Sequence, residues 1–472
     1  MGKEPTESLL QASERFFRKV RSAVSGSGYC DENAPALRWH VDFPSLERAP
    51  WLLANGWVVQ GWAVLPEESG SVTQRIQIVA QWSGVFQLRH PLSLERPDVT
   101  SQVFDSSFEH RQHACGFRFT VPRHLREVML SVWVDDQCVA EQTVKMPEPE
   151  ATAVPSLKVL EGRDGWLFLD NDTNGSVDQY CGRLRLTESG IQEWQRYLIG
   201  VKAVAAQHRA SMAMLVAPSK ESVMGPRYHP DREGESDPIR QLLALPESEM
   251  FVYPVPELGQ LGDAAFIQTD THWTQQGAMT ATCSLAAKLG LDAEAVAALF
   301  AKDVYRERTV TGDLGNKLEP PRQCKVPILT SFSYAKHRHY DNGLPNFGRL
   351  LVLVNEAALV QETCLIFGSS SSYSMFHYLC RVFGRVVFVH SAGSLDAELV
   401  DALKPAYLVI QTNARFVVQV PSLRQPLLTT IQEKQARLSE EEQALVAKRQ
   451  LLVSQDDSLI AELDLGRWVS FE

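Results

Sequence analysis

The sequence predicts an α/β domain with a mainly parallel sheet, preceded by an antiparallel β-sandwich. From about Leu37 to Met146, short alternating runs rich in β-branched and aromatic residues lie between turn residues. Beyond the linker Met146-Pro147-Glu148-Pro149-Glu150, apolar runs alternate with helical patterns, as in a layered α/β domain. The chain has 472 residues, room for about three folded units. Hydrophobic residues are 44% and charged residues 22%, which excludes general disorder, collagen and coiled coil.

Element by element, residues 7–23 set Leu9, Leu10, Phe16, Phe17 and Val20 among charges, a short amphipathic helix, and Ser25-Gly26-Ser27-Gly28 reads as a flexible linker. The runs 58–63, 75–80, 117–121 and 128–134 are the clearest sandwich strands. Two prolines bar residues 146–150 from helix and central strand. The runs 166–169, 212–216, 350–354, 365–367, 386–389 and 407–410 are candidate sheet strands, with helices over 191–208 and 274–289. From Leu427 onward, Gln and Glu interleaved with Leu and Ala predict a terminal helix. The resulting division is a helical segment and linker at 1–34, the sandwich at 35–147, the α/β domain at 148–420 and a C-terminal helical segment at 421–472.

With 46 Lys+Arg against 57 Asp+Glu the formal charge is −11, which disfavours a phosphate-tracking surface and a nucleic-acid partner. The start, Met1-Gly2-Lys3-Glu4-Pro5-Thr6, lacks the apolar core of a signal peptide, and no stretch approaches the ~20 apolar residues of a membrane span. With Met1 as the true start, a cytoplasmic location is expected. Gly2 with Thr6 fits a loose myristoylation pattern, too short a match to predict an anchor. The 8 cysteines are scattered singly and read as mostly buried free thiols, with Cys115 and Cys138 able to approach if they lie on facing strands.

Two features point to chemistry. Phe367-Gly368-Ser369-Ser370-Ser371-Ser372-Tyr373-Ser374 follows an apolar strand and precedes a helical pattern. That turn exposes a serine hydroxyl beside backbone N–H groups suited to an oxyanion. Asp270-Thr271-His272-Trp273-Thr274 places a carboxylate two residues from an imidazole, where it can orient the ring so that the other nitrogen takes a proton from serine. Alone, the first is also an ordinary helix cap and the second an ordinary turn. Together in one α/β domain they favour acyl chemistry, since each supplies what the other lacks. Metal catalysis is disfavoured, because no His or carboxylate cluster has ligand spacing in the sequence.

These residues carry a family resemblance. Gly162-Arg163-Asp164-Gly165-Trp166-Leu167-Phe168-Leu169, Pro218-Ser219-Lys220-Glu221-Ser222, Asp270-Thr271-His272-Trp273, Thr311-Gly312-Asp313-Leu314-Gly315 and Phe367-Gly368-Ser369-Ser370 resemble the ordered motifs of SGNH-hydrolase-like proteins of the alginate O-acetyltransferase type, over roughly residues 155–420. Asp-x-His precedes the serine, whereas ordinary SGNH esterases place serine first. The resemblance implies a three-layer SGNH-like fold and an Asp-His-Ser triad that moves acetyl groups to or from sugar hydroxyls. Ser370 is then nucleophile, His272 general base and acid, and Asp270 its orienter; matching to the Ser-Tyr-Ser tail instead favours Ser372. Ser369 departs from the family's Gly-Asp-Ser pattern, which bears on how the loop is held.

Oxyanion donors are sought in the amides of Ser370 and Ser371 and in the side chains of Asn171 or Asn174, for which loop caps are the plainer reading. Lys220 and Arg415 follow candidate strands and could meet an anionic or sugar substrate, with a surface salt bridge as the plainer reading of each. Gly56-Trp57-Val58-Val59-Gln60-Gly61-Trp62, Arg96-Pro97-Asp98-Val99 and Cys115-Gly116-Phe117 resemble, less specifically, a β-domain met beside sugar-processing domains. There Trp57, Trp62 and Trp82 read first as core, with sugar stacking as the alternative.

The expected function is O-acyl transfer to a polysaccharide, glycan precursor or glycosylated protein through an acyl-Ser370 intermediate. A carbohydrate O-acetylesterase and an inactive glycan-binding scaffold are the rivals. No cofactor is expected: the acyl donor is unidentified, and no phosphate-cradling glycine loop supports acetyl-CoA. Polysaccharide-biosynthesis proteins are the expected partners. Relatives of the alginate type act outside the cytoplasm, unlike the location expected here.

Overall fold

The computed structural model describes residues 37–45, 51–53, 56–66, 75–105, 110–148, 159–231, 238–451, 453 and 457–469. The helix expected over 7–23, the linker at 25–28 and the last two residues of the 146–150 linker lie outside them. The chain divides into two compact units, Met1–Ser156 and Leu157–Glu472.

The first unit is built from strands β1 (Arg38–Phe43), β2 (Leu52–Leu53), β3 (Gly56–Val64), β4 (Ile76–Gln81), β5 (Phe86–Pro91), β6 (Gly116–Val121), β7 (Glu127–Val134) and β8 (Gln137–Lys145). One antiparallel sheet joins β1, β3 and β2, with β6 also on β3; a second runs β5-β4-β7-β8. Strand β7 shows the period of two that half-buried strands require: Val128, Leu130 and Val132 are fully buried while Met129 between them is exposed. Strands β1, β5 and β8 escaped the sequence reading because their polar residues, such as His40, Gln87 and Glu141, blur that alternation. Trp57 and Trp62 are 4% and 3% exposed, so the sugar-stacking alternative is corrected for both. Trp62 packs with Val64, Val99 and Cys115. Trp82 is half-buried, edge-on to Phe86. Cys115 and Cys138 are free thiols, the first buried and the second exposed.

In the second unit, β9 (Val159–Glu161) and β10 (Leu167–Leu169) form an antiparallel pair. The run 166–169 is therefore a strand but not one of the main sheet, which corrects the sequence expectation. After the short strand β11 (Leu184–Leu186) come β12 (Ser211–Ala217), β13 (Phe251–Val252), the antiparallel pair β14 (Tyr305–Val310) and β15 (Cys324–Leu329), then β16 (Arg338–Asp341), β17 (Leu350–Val354), β18 (Val360–Gly368), β19 (Phe383–His390) and β20 (Tyr407–Asn413). The seven-stranded sheet has the order β13-β12-β20-β18-β19-β17-β16. Strands β13 to β19 in that order are mutually parallel, and β17 and β16 complete the edge antiparallel.

The central strands are apolar throughout because both faces are covered. Odd residues of β12 (Ala213, Leu215) and even residues of β18 (Cys364, Ile366) pack with helices Gln275–Lys288, Ala293–Phe300 and Ser372–Val382 in one core. On the other face, helix Glu188–Gln207 is held by Trp194 Nε1 donating to Val417 O at 2.8 Å and Tyr197 Oη to Gly393 O at 2.6 Å. Thr187 caps that helix through Gly190 N–H and Thr274 caps Gln275–Lys288 through Gly277 N–H, each worth about 1 kcal/mol.

The expected terminal helix is broken into Leu427–Gln435, Glu440–Gln450 and shorter pieces. The cause is Ser439, which caps a new helix reciprocally with Glu442. No helix among the described residues is long and apolar enough to cross a membrane.

Candidate active site

Three adjacent parallel strands end at one place. Strand β12 runs out into Pro218–Glu221, β20 ends on Asn413, and β18 ends on Gly368 before the serine turn. Carboxyl ends of parallel strands are where α/β sheets build their sites. Gly368 allows the turn: a Cβ there would lie 2.6 Å from Ser372 Oγ and 2.8 Å from the Phe388 ring.

The turn delivers Ser370 to His272. Asp270 Oδ1 lies 2.7 Å from His272 Nδ1, and His272 Nε2 lies 2.9 Å from Ser370 Oγ. Burial opposes charge on Asp270, but the hydrogen bond and charge of His272 and the amides of His272 and Asp313 outweigh it and bring the carboxyl down to about 2. An ionised carboxylate only accepts, so Nδ1 carries the proton and the Nε2 lone pair faces Ser370 Oγ–H. Burial also opposes charge on the imidazole, yet Asp270 and then Asp313 raise its pKa above the usual 6.5. The loop is pinned to the serine turn by Trp273, whose Nε1 donates to Ser371 O at 3.1 Å and Ser374 Oγ at 2.9 Å.

Asp313 completes the Asp270 side. Its N–H donates to Asp270 Oδ2 at 2.8 Å, its Oδ1 accepts from Thr271 N–H at 2.7 Å, and its Oδ2 accepts from Thr271 Oγ. Asp270, His272 and Asp313 thus bring ligand-type atoms within 4.8 Å of one another, a convergence invisible in their sequence spacing. Those atoms are engaged with one another and with neighbouring amides, so a cation there would have to displace the Asp270–His272 bond. Gly312 sets Asp313 in place: φ is +75°, and a Cβ would lie 2.3 Å from Thr269 O. Gly312→Ala is expected to destabilise this unit by at least about 2 kcal/mol, read by thermal denaturation.

The other serines are spoken for. Ser372 is buried with Oγ donating to Gln411 Oε1 at 2.9 Å, away from the imidazole, and Ser369 donates through N–H and Oγ to the same oxygen. Ser369 thereby holds the loop in its own way where the family pattern has aspartate. Ser371 Oγ donates to Asn413 Oδ1 at 2.9 Å, and its N–H has no acceptor among the described residues. Asn413 Oδ1 also accepts from Gln411 Nε2 and lies 3.1 Å from Ser369 Oγ, whose one proton is shared with Gln411 Oε1; with its oxygen so engaged, Asn413 leaves its amide nitrogen to the cleft it lines.

Asn171 and Asn174 are not brought to the serine. Asn171 Nδ2 donates to Asp178 and its Oδ1 caps Val177 and Asp178 N–H; Asn174 Nδ2 donates to Asp172. Both are loop caps, which corrects the oxyanion alternative for these two side chains. Lys220 forms no surface salt bridge. It is 3% exposed, and Nζ donates toward the carbonyls of Leu167, Ile267, Gln268 and Asp270 at 2.7–3.0 Å. Arg415 does reach the cleft wall, paired with Asp172 at 3.5 Å. The sequence reading missed Asn413 and the part played by Asp313. A polar Gln411-Thr412-Asn413 tail at the carboxyl end of an apolar strand was the available signal for the first.

An open cleft beside His272 is lined by Lys220, Glu221, Ser371, Asn413 and Arg415. Residues 159–343 match the family described as SGNH hydrolase-like domain, acetyltransferase AlgX, a span that holds Asp270, His272 and Asp313 and ends before Ser370. Among solved structures, the chain is similar to the O-acetyltransferase domain of Pseudomonas putida AlgJ, at 17% identity and TM-score 0.35 over 62% of this chain and 99% of that one. It is also similar to Bacillus cereus PatB1, at 11% identity and TM-score 0.40 over 56% and 99%. Pseudomonas aeruginosa AlgX matches at 14% identity and TM-score 0.32 over 57% and 69%. No curated protein matches the chain.

Proposed function

We propose that the chain, whose residues 159–343 match the SGNH hydrolase-like domain of the acetyltransferase AlgX family, is a serine-dependent O-acyltransferase that places acetyl groups on a polysaccharide or glycan precursor. The observation that supports this reading is the unbroken Asp270–His272–Ser370 hydrogen-bond chain at 2.7 and 2.9 Å.

In this mechanism Ser370 Oγ attacks the donor's acyl carbonyl while His272 Nε2 takes the hydroxyl proton. Asp270 stabilises the imidazolium that forms. The oxyanion is met by the Ser371 N–H and the Asn413 amide nitrogen. Collapse breaks the bond to the donor's leaving group, which takes the proton from His272. A sugar hydroxyl then attacks acyl-Ser370, giving its proton to His272, which returns it to Ser370 Oγ as the ester departs on the sugar. His272 is 34% exposed at its side chain, so water can also reach the intermediate, and hydrolysis is the second reading.

A serine-reactive phosphonate, followed by intact-mass analysis and peptide mapping, tests the centre. A single adduct on Ser370, lost in His272→Ala, is expected. An adduct on Ser372 overturns the register, and no adduct under conditions that label a control esterase favours the binding scaffold. Acetyl on an added glycan, against free acetate alone, then separates transfer from hydrolysis.

A further inference from the structure

Which end of the Asn413 carboxamide meets the cleft is decided by one neighbour. Around its Oδ1 lie Ser371 Oγ at 2.9 Å, Ser369 Oγ at 3.1 Å and Gln411 Nε2 at 3.2 Å. A hydroxyl rotates to donate or to accept, so the two serines suit an oxygen or a nitrogen at that place equally well. An amide nitrogen only donates. Gln411 Nε2 is therefore the group that holds Oδ1 inward and leaves the Asn413 nitrogen to the cleft.

Gln411 is in turn held by main-chain groups, whose roles cannot be exchanged. It is 1% exposed on β20, its Oε1 accepts from Ser369 N–H at 2.6 Å, and its Nε2 donates to Thr412 O at 2.8 Å. A reversed carboxamide would set donor against donor at Ser369 and acceptor against acceptor at Thr412. The backbone of the serine turn and of β20 thus imposes one orientation on Gln411, and Gln411 imposes one on Asn413.

We propose that Gln411 is a positioning residue of the oxyanion site, acting on acyl transfer through Asn413 by aiming its amide nitrogen at the developing charge. This rests on the reading of Ser370 as the acyl-transfer centre. Gln411→Glu is the discriminating change. It keeps the size of the side chain and an oxygen for Ser369 N–H and Ser372 Oγ, but its other oxygen carries at most one hydrogen where the amide nitrogen carries two. Thr412 O is fixed in the main chain, so Asn413 Oδ1 loses its donor. The asparagine then turns its nitrogen inward and its oxygen toward the cleft, where it repels an oxyanion.

The test is a double-mutant cycle on the full chain, read as kinact and KI for phosphonate labelling of Ser370. Gln411→Glu is expected to lower kinact by about 10²-fold, the size of a lost oxyanion donor, with KI changed by less than about threefold. Added to Asn413→Ala, it should slow labelling by less than about threefold further, because the group it acts through is gone. A Gln411 that merely supports the fold would slow the Asn413→Ala chain by the same factor as wild type, and that result overturns the proposal, as does wild-type kinact in Gln411→Glu. If Gln411→Glu does not fold, Gln411→Met enters the same cycle and is read by the same comparison. If wild type takes no phosphonate on Ser370, the acyl-transfer reading fails, and NMR of chain isotope-labelled at asparagine nitrogen decides the Gln411 proposal alone. The Asn413 side-chain signal, identified by its loss in Asn413→Ala, should exchange with water at least about tenfold more slowly in Gln411→Glu or Gln411→Met than in wild type, and unchanged exchange overturns the assignment.

Discussion

Asp270→Asn is expected to lower the acyl-transfer rate by about 10³ to 10⁴-fold while Ser370 and His272 stay in place. In the proposed mechanism the carboxylate does two jobs: it fixes the proton on Nδ1, so that Nε2 can accept from Ser370, and it stabilises the imidazolium. An asparagine amide can present its nitrogen to Nδ1 and so select the wrong tautomer. The pH profile reports the second job. A general base works only when neutral, and Asp270 and Asp313 hold the imidazole above its usual 6.5. Wild-type kcat/KM should therefore rise with pH through an inflection above 6.5. In Asp270→Asn the opposing effects of burial and the Arg415 charge lose their main counterweight, so the inflection should move to lower pH. An inflection that stays in place in the variant would remove Asp270 from the relay and shift attention to Asp313.

What the sequence disclosed follows a physical division. Runs such as Leu365-Ile366-Phe367 were legible because strands buried on both faces need apolar residues at every position. The serine turn and the Asp-x-His pair were legible because their chemistry demands particular residue types close together in the chain. Strand order was not legible, since neighbours such as β12 and β20 are joined by contacts nearly two hundred residues apart in sequence. For the same reason Asn413 was missed, as its place depends on β20 lying between β12 and β18. Lys220 misled because lysine is seldom buried, and residue type alone points it outward. Asn171 and Asn174 misled in the opposite sense: their amides suit an oxyanion, but local carboxylates and amides claimed them first.

Lys220→Met is expected to cost about 2–4 kcal/mol and to lower Tm by roughly 5–10 °C, with slower phosphonate labelling of Ser370. Two effects compete at this lysine. Burial disfavours the ammonium and brings it down to about 7, against the pull of Glu221, Asp270 and Asp313. Four carbonyls favour it, and charge-assisted hydrogen bonds are worth about 1.5–3 kcal/mol each. Methionine fills the space beside Trp166 and Phe168, whose rings lie 5.0 and 5.4 Å from Nζ, but it supplies no donor. Ile267 and Gln268 carbonyls keep the Asp270 and Leu167 amides, so the loss falls hardest on the Leu167 and Asp270 carbonyls, the second at the root of the loop that carries His272. The folded pKa lies below the unfolded value of 10.5, so between pH 7 and 10.5 the unfolded chain binds more protons. This lysine therefore adds stability as pH rises through that window, and the gap between wild type and Lys220→Met should widen from pH 7 to 10. A variant as stable as wild type at pH 9, with normal labelling, would mean that the loop is held by Trp273 and Asp313 without Lys220.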